Sequence, residues 1–295
     1  MPLLSKSKVL LAVGLLLGSA GAPFAAPDHG PSAQGLSALA FLGLGPLRAH
    51  AQPATPPGTS PDQPALLGKE WVYTVQPTDT LSRIATRHGI DLRRLLAING
   101  LSTRKPIRAG QRIHLSNRHI APPSEGATLV VNIPDRMLYR YDGASVVPYP
   151  VALGEPSDKD ADDPMRWRTP IGSFKVVEKR ANPVWNVPKS IQEEMRAKGK
   201  EVLTKVKPGP ENPLGTRWIG LSAWGYGIHG TNAPTSIGRF STHGCVRMRT
   251  EHVEEIFEVV AKGAVVRIIY EPAKVAVDGD AVYLEVSRDI YRRIP

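Results

Sequence analysis

The segment 228-IHGTNAPTSIGRFSTHGCVRM-248 carries the residues on which the interpretation of this chain depends. It contains Cys245, the only cysteine in 295 residues, and two histidines, His229 and His243. Thiol and imidazole side chains in one segment are used for nucleophilic catalysis or for binding a metal ion. A buried cysteine that only fills space in a core is the third interpretation.

The second half of this segment is predicted to be extended, so its side chains alternate between two faces. His243, Cys245 and Arg247 then share one face. Neighbouring positive charge lowers the pKa of a thiol and favours the thiolate, which is the nucleophile. His229 ends a separate apolar and glycine-rich stretch and is the candidate general base. Gly230, which follows it, leaves room for close approach of backbone or substrate.

Composition and charge limit the classes of function. Apolar residues make up 41% of the chain, enough for a sizeable core, and the length suits about two domains. The net charge of +10 favours an anionic partner such as a carboxylate-rich polymer. Because the Lys and Arg residues are spread along the chain without a dense block, a nucleic acid partner is not predicted.

The N-terminus is predicted to be an export signal over residues 1–51. Basic residues precede a first apolar run, 9-VLLAVGLLLGSAGA-22, and a second run follows, 36-LSALAFLGLGPLRAHA-51. Cleavage is predicted near residue 22 or near residue 51, and the sequence leaves both open. Neither run is long enough for a stable membrane span. Export predicts a periplasmic protein, in a compartment where an unpaired thiol is a liability unless it has a role.

Residues 52–70 are rich in proline and small polar residues and are predicted to form a linker. A compact unit follows over 71–115, with the predicted order strand, helix, helix, strand. The first helix is predicted to start at a cap formed by Thr78 or Asp79 and to end at Gly89. The second is predicted to start at the cap Asp91 and to end at Asn99-Gly100.

From about residue 126 to 272 the chain is predicted to be mainly β. Asp142-Gly143 between two apolar runs predicts a β-hairpin. The C-terminal extension over 273–295 contains another hairpin-like segment. The predicted strands are 128-TLVVNI-133, 137-MLYRY-141, 173-SFKVV-177, 216-TRWIGLSAW-224 and 265-VVRIIY-270.

Two helices are predicted within this β region. The first covers 190–199, with Ser190 and Glu193 at the spacing of a capping box. The second has Thr250 as its cap and Gly263 as its end, with an apolar stripe at helical spacing between them.

The unit over 71–115 resembles a LysM domain. Thr78 stands where that family usually has glycine, so the backbone of the first turn is expected to differ. The resemblance implies binding of N-acetylglucosamine-containing glycans, and therefore of peptidoglycan. The matching stretches are 73-YTVQPTDTLSRIATRHGI-90, 95-LLAING-100 and 109-AGQRIHL-115.

The region over about 126–272 resembles the catalytic domain of the L,D-transpeptidases of YkuD type. Its two most specific motifs are 228-IHGTNAPTSIG-238 and 242-THGCVRM-248. Thr242 replaces the serine that is commoner in the family, and its hydroxyl group is retained. The resemblance implies a β-sandwich-like fold. Further matches are 148-PYPVALG-154, 168-RTPIGSF-174 and 208-PGPENPLG-215.

The resemblance also implies roles for individual residues. Cys245 corresponds to the nucleophile and His229 to the general base, whose imidazole the carbonyl of Gly230 would orient. His243 and Gly244 lie where the family places substrate contacts and the oxyanion hole. Arg247 suits a substrate carboxylate, since guanidinium binds carboxylate in a fork, but pairing with a carboxylate of the protein is an equal alternative.

The implied reaction is acyl transfer on peptidoglycan stem tetrapeptides. Cys245 attacks the carbonyl of an L-centre, the terminal D-alanine leaves, and a thioester forms. The acyl acceptor is an amine, either of a second stem peptide or of a lysine in an envelope lipoprotein. Water in its place makes an L,D-carboxypeptidase. No cofactor and no metal ion is implied.

The same residues allow three other interpretations. His229, His243 and Cys245 could ligate a metal ion, although two of them are only two residues apart. A papain-like peptidoglycan endopeptidase is disfavoured, because its cysteine precedes its histidine in the chain. The last alternative is a non-catalytic wall-binding protein that uses the LysM-like unit alone.

Overall fold

The computed structural model describes residues 60–156 and 167–294. The predicted export signal over 1–51 and the first part of the predicted linker lie outside the described residues. In the part of the chain that is described, no helix combines the length and the apolar character needed to cross a membrane.

The strands and helices follow one another along the described chain as a small mixed unit and then a larger, mainly β unit. In chain order they are β1 (Ala65–Leu67), β2 (Glu70–Thr74), α1 (Leu81–His88), α2 (Leu92–Asn99), β3 (Arg112–Ser116), β4 (His119–Ala121), β5 (Leu129–Asn132), β6 (Met137–Asp142), β7 (Ser145–Pro150), β8 (Leu153–Gly154), β9 (Gly172–Ala181), β10 (Trp185–Asn186), α3 (Lys189–Ala197), β11 (Lys205–Val206), β12 (Arg217–Leu221), β13 (Gly227–His229), β14 (Phe240–Thr242), β15 (Val246–Arg247), α4 (Thr250–Val259), β16 (Val265–Ile269), β17 (Ala273–Asp278) and β18 (Ala281–Val286).

The small unit has the predicted βααβ order, with β2 and β3 paired antiparallel. Asp91 caps α2 by accepting hydrogen bonds from two backbone N–H groups. Gly89 and Gly100 end the two helices in the left-handed conformation, at φ 65° and 59°, which glycine adopts without a steric penalty. The predicted ends of both helices are therefore confirmed.

The predicted start of α1 is wrong by one or two residues. Thr80 is its N-cap and accepts a hydrogen bond from the backbone N–H of Arg83 at 3.2 Å. Asp79 instead accepts from the hydroxyl of Tyr73 at 2.6 Å and from the backbone N–H of Gln76 at 2.9 Å. Its carboxylate is thus occupied in the turn that precedes the helix.

The large unit is built on an eight-stranded sheet in the order β15-β13-β12-β9-β16-β5-β6-β7. Its neighbouring strands are antiparallel except for the pairs β13–β15 and β16–β5, which are parallel. The sheet curls, so buried side chains from both of its ends meet in one core that α4 covers. The mainly β, sandwich-like fold is confirmed, as is the hairpin at Asp142-Gly143, where Asp142 pairs with Ser145.

Neither helix of the large unit starts with its predicted cap. Pro188 precedes α3, whose first turn contains Ser190, and no side chain caps this helix. Pro188 at this place pre-sets φ for helix entry. Thr250 is the first residue of α4 rather than its cap, and that helix ends at Val259, before Gly263.

Part of the predicted linker belongs to the folded unit. β1 pairs antiparallel with β4, and Ala65 and Leu67 are buried in a core on the other face of the large sheet. Because every second side chain of a strand faces the same way, Ala65 and Leu67 face this core while Leu66, between them, does not.

The C-terminal extension forms the predicted hairpin, in which β17 and β18 pair antiparallel. Beyond it, Tyr291 is buried, and its hydroxyl donates to the carbonyl of Gly154 at 2.7 Å and accepts from the N–H of Thr169 at 3.1 Å. The extension therefore holds together two of the segments that carry the family resemblance, 148–154 and 168–174.

Candidate active site

Parallel pairing of β13 with β15 brings His229 and Cys245 together. Ile228 lies opposite Val246 and His229 lies opposite Arg247. Because side chains alternate and cross-strand partners face the same side, His229 shares a face with Arg247 and with Cys245, which directly precedes β15. Ile228 and Val246 point the other way, into the core.

The short strand β15 is held on both sides. The backbone N–H of Met248 donates to the carbonyl of His229 at 2.8 Å. On the other side, Ala152 and Arg247 exchange two backbone hydrogen bonds of 2.9 Å. The candidate nucleophile therefore sits at the start of a strand that two flanking segments fix in place.

The predicted continuous extension of the Cys245 segment is wrong. β14 ends at Thr242, β15 begins at Val246, and between them Gly244 has φ +104°. A Cβ atom on Gly244 would lie 2.6 Å from the ring of Tyr226, so only glycine fits this buried bend. The bend breaks the alternation of side chains, so the prediction that His243 shares a face with Cys245 no longer follows from that alternation.

The hydroxyl of Thr242 stabilises this bend. It accepts a hydrogen bond from the N–H of Gly244 at 3.2 Å and donates one to the carbonyl of Cys245 at 2.7 Å. The N–H of Gly244 is thus engaged within the bend itself. A serine at this position would offer the same oxygen.

His243 contacts a different element, helix α3. Its Nε2 lies 2.9 Å from Oε2 of Glu194, and its ring lies 4.2 Å from the ring of Trp167. Glu194 also forms an ion pair with Lys198, the residue that follows α3. His243 therefore connects the bend beside Cys245 to α3.

The imidazole of His229 is buried and neutral. Its Nδ1 lies 2.7 Å from the carbonyl of Gly230; a carbonyl can only accept, so Nδ1 carries the proton and Nε2 is left as a proton acceptor. Burial lowers the pKa of His229 to about 3, and the charge of Arg247 acts in the same direction. The ring stacks against Trp218 at 6.1 Å.

The thiol of Cys245 is also neutral in this structure. Burial raises its pKa to about 11, which outweighs the lowering by a backbone hydrogen bond from Gly227 and by the charge of Arg247. The thiol donates to the carbonyl of Gly225 at 3.7 Å. Arg247 lowers the pKa of the thiol, as predicted for a basic neighbour, but the desolvation cost is larger, so the pKa lies above its ordinary value.

Arg247 lies on the same face as the thiol and is partly exposed. Its Nη1 donates to the hydroxyl of Ser236 at 3.1 Å. No carboxylate among the described residues pairs with it, and its buried Nε has no hydrogen-bond partner there. The described residues therefore do not support the alternative in which Arg247 forms a structural ion pair with a carboxylate of the protein.

Several residues around the site were missed from the sequence. A Cβ atom on Gly227 would lie 2.6 Å from Trp218, so this glycine lets the indole pack beside His229. The alternating glycines and aromatics of 219-IGLSAWGYGIHG-230 were a visible signal for it. Glu194 and Trp167 had no such signal, since they come from distant parts of the chain.

The described residues give no support to a metal site. Over 60–156 and 167–294, no group of three or more His, Cys, Asp or Glu side chains is arranged to hold a metal ion. His243, one of the three ligands of that alternative, is instead directed to Glu194.

Comparisons with known proteins match both units. Residues 126–268 match the YkuD family, described as the L,D-transpeptidase catalytic domain, and residues 73–116 match the LysM domain. The probable L,D-transpeptidase YbiS of Escherichia coli K12 is 32% identical over 78% of this chain and 74% of its own length. YcfS of the same organism, also named a probable L,D-transpeptidase, is 30% identical over 84% and 76%. An NMR structure of the catalytic domain from an E. faecium L,D-transpeptidase covers 49% of this chain and 98% of its own, with 20% identity and a TM-score of 0.36.

Proposed function

The chain belongs to the L,D-transpeptidase family, with a YkuD catalytic domain and a LysM domain, and from that premise we propose that Cys245 is the nucleophile and His229 the general base of acyl transfer on peptidoglycan stem tetrapeptides. The observation that carries the proposal is their placement on one face of two parallel strands, with Nδ1 of His229 bound to Gly230. That bond leaves Nε2 free to take a proton.

In the first step, the thiol proton moves to Nε2 of His229 as Sγ of Cys245 attacks the carbonyl carbon of the L-centre. The tetrahedral intermediate collapses by breaking the amide C–N bond, and His229 returns the proton to the departing amine of D-alanine. A thioester on Cys245 remains. The same imidazole can thus serve as base and then as acid.

A neutral resting pair suits this order of events. With the pKa of Cys245 near 11 and that of His229 near 3, the thiolate and imidazolium do not form in the unliganded protein at neutral pH. Proton transfer then accompanies attack on a bound substrate. The charge of Arg247 lowers the pKa of both groups, so it helps the thiol to lose its proton but makes the imidazole a weaker base.

Binding roles follow from the same geometry. The guanidinium of Arg247, which pairs with no carboxylate among the described residues, suits a carboxylate of the stem peptide. His243, held by Glu194 beside the bend, would contact the substrate from the side of α3. Gly244 and Gly230 act through their backbone atoms. Gly244 makes the bend beside Cys245 possible, and the carbonyl of Gly230 orients the imidazole of His229.

In the second step, an amine attacks the thioester and Cys245 is released. The amine belongs to a second stem peptide or to a lysine of an envelope lipoprotein; water would make the enzyme an L,D-carboxypeptidase. The LysM domain would hold the glycan strands, and the protein would work in the periplasm. Transfer of an acyl group between amines needs no ATP, which suits an exported enzyme.

The test is the release of D-alanine from purified stem tetrapeptides. Replacing Cys245 with alanine is expected to abolish release, because no other cysteine is present, while binding to glycan strands persists through the LysM domain. A wild-type chain that binds glycan and releases nothing would instead identify a non-catalytic wall-binding protein. Full activity in Cys245→Ala would exclude the proposed nucleophile.

A further inference from the structure

The C-terminal hairpin presents an apolar face to solvent. Alternation and register place six side chains on that face, in the cross-strand pairs Ala273–Val286, Val275–Leu284 and Val277–Val282. The larger ones are between 50% and 71% exposed. A contiguous exposed patch of aliphatic side chains on a soluble domain is typical of a surface that another molecule covers.

The opposite face of the hairpin is polar and is fixed to the protein. The ammonium of buried Lys274 contacts Asp135 and also Oε2 of Glu285, at 3.0 Å for the latter. Glu285 also accepts from His119 and from the N–H of Ile120 at 2.7 Å. A shift of one residue would exchange the two faces and bury the apolar one, but it would leave these buried charges unpaired. The buried ions therefore specify that the apolar face points outward.

We propose that this face is an interface with a second copy of the chain, in a two-fold symmetric dimer. The outward residues of β18 are Val282, Leu284 and Val286. An acid, Asp280, lies in the turn just before this strand, and a base, Arg288, lies two residues after its end. Asp280 and Arg288 are exposed, and neither side chain has a partner among the described residues.

This row of residues is complementary to itself when it is reversed. Leu284 is its midpoint, so a two-fold axis near Leu284 sets two hairpins antiparallel, face to face. Asp280 then meets Arg288 of the partner subunit at both ends, and the aliphatic residues meet in the middle. A parallel arrangement would place like charges together.

Charge also favours a second copy over a lipid surface. Asp280 lies in the turn at the tip of the hairpin, next to the apolar residues that a membrane would have to contact. Anionic lipids attract basic surroundings and repel acidic ones. A protein copy with a basic root next to its own apolar face has no such conflict.

The first test is sedimentation velocity of the full chain over a range of concentrations. The wild type is expected to dimerise, and Leu284→Lys to raise the dissociation constant of the dimer at least about 100-fold, since each dimer buries this position twice. The matched control is Val259→Lys, at an exposed position on α4, which should dimerise like the wild type. A monomer at all concentrations, or a dimer that tolerates Leu284→Lys, would overturn the proposal.

The second test addresses the antiparallel arrangement. Asp280→Arg and Arg288→Asp should each weaken the dimer, because each places like charges at both ends. Mixed in equal amounts, the two variants should associate, because every end then carries opposite charges. Loss of dimer in the mixture would contradict the arrangement, and binding of the monomer to anionic vesicles through this face would replace the second copy with a membrane. Because neither test uses the active site, their outcome is independent of the proposed function.

Discussion

At the scale of single residues, burial sets the charge of the candidate catalytic pair. It raises the pKa of Cys245 to about 11 and lowers the pKa of His229 to about 3. Both groups are therefore neutral around pH 7, although a cation, Arg247, lies on the same face. A sequence shows which charges are near a thiol along the chain, but it does not show how much solvent has been removed.

This neutral state predicts the pH dependence of thiol alkylation. Only the thiolate reacts, so the rate of iodoacetamide modification of Cys245 should rise with a midpoint near the folded pKa of about 11. The chain unfolded in urea should show a midpoint near the ordinary value of 9.0. Since Cys245 is the only cysteine, total incorporation measures it directly. A folded midpoint at or below that of the unfolded chain would show that burial does not raise the pKa of Cys245, and a folded midpoint below pH 7 would show that the resting group is a thiolate.

The same raised pKa has a consequence for stability. Between 9.0 and about 11 the folded state holds the thiol proton more tightly than the unfolded state does, so the contribution of Cys245 is present below this window and is lost as the pH rises through it. His229 acts in the opposite pH direction: its contribution is lost as the pH falls from 6.5 towards about 3.

Much of the candidate site could be predicted residue by residue. The two motifs indicate Cys245 and His229, and the bond between His229 and Gly230 agrees with the expected orientation of the imidazole. Glu194 and Trp167 could not be found this way. They reach His243 only because α3 folds against the bend, which no local pattern specifies.

At the scale of elements, the local sequence pattern predicts one continuous extended segment where the structure has a bend between β14 and β15. The residues of 241-STHGCVRM-248 are suited to a strand, but the left-handed conformation of Gly244 and the packing of Tyr226 against it interrupt the strand. Hydrogen bonds of Thr242 then hold the interruption in place. A contact between side chains distant in sequence thus overrides the local preference.

The bend leads to a prediction for Thr242. Thr242→Val keeps the shape but removes both hydrogen bonds, each worth about 1 kcal/mol. We expect the free energy of unfolding to fall by about 1–2 kcal/mol and kcat to fall by about 10- to 100-fold through displacement of the thiol. Thr242→Ser is the matched control and should keep both values near those of the wild type. Wild-type values in Thr242→Val, or a loss confined to Thr242→Ser, would mean that the methyl group, and not the hydroxyl, matters.

Helix and strand positions were otherwise predictable where a local signal exists. Gly89, Gly100 and Asp91 bound their helices as expected, because αL glycines and side-chain caps act within one turn. The order of the eight-stranded sheet was not predictable. β16 inserts between β9 and β5, and such pairings depend on contacts distant in sequence.

At the scale of the whole molecule, a buried charge network fastens the C-terminal hairpin to the catalytic domain. Lys274 on β17 contacts Asp135 and Glu285, and Glu285 reaches back to His119 at 2.9 Å. The network joins three separate parts of the chain. The sequence predicted the hairpin, but not its attachment, because Lys274 and Glu285 look like solvent-exposed residues in an alternating strand.

This network predicts how stability changes in acid. Its basic partners lower the pKa of Glu285 to about 2 from an ordinary 4.5, so its contribution is present above 4.5 and is lost as the pH falls towards 2. In Glu285→Gln, the free energy of unfolding should fall less steeply across this window, as measured by urea titration at each pH. Glu258→Gln, at an exposed position on α4, should follow the wild type. If both variants kept the wild-type slope, the ion network would not contribute to acid sensitivity.

The central claim, that Cys245 carries the acyl group, is tested most directly by mass spectrometry of the full chain during turnover of a purified stem tetrapeptide. We expect an adduct with the mass of the stem minus D-alanine on the peptide that contains Cys245. It should be labile to hydroxylamine, as a thioester is, and absent from Cys245→Ala. Release of D-alanine with no adduct in rapidly quenched samples, or an adduct on any other residue, would contradict it.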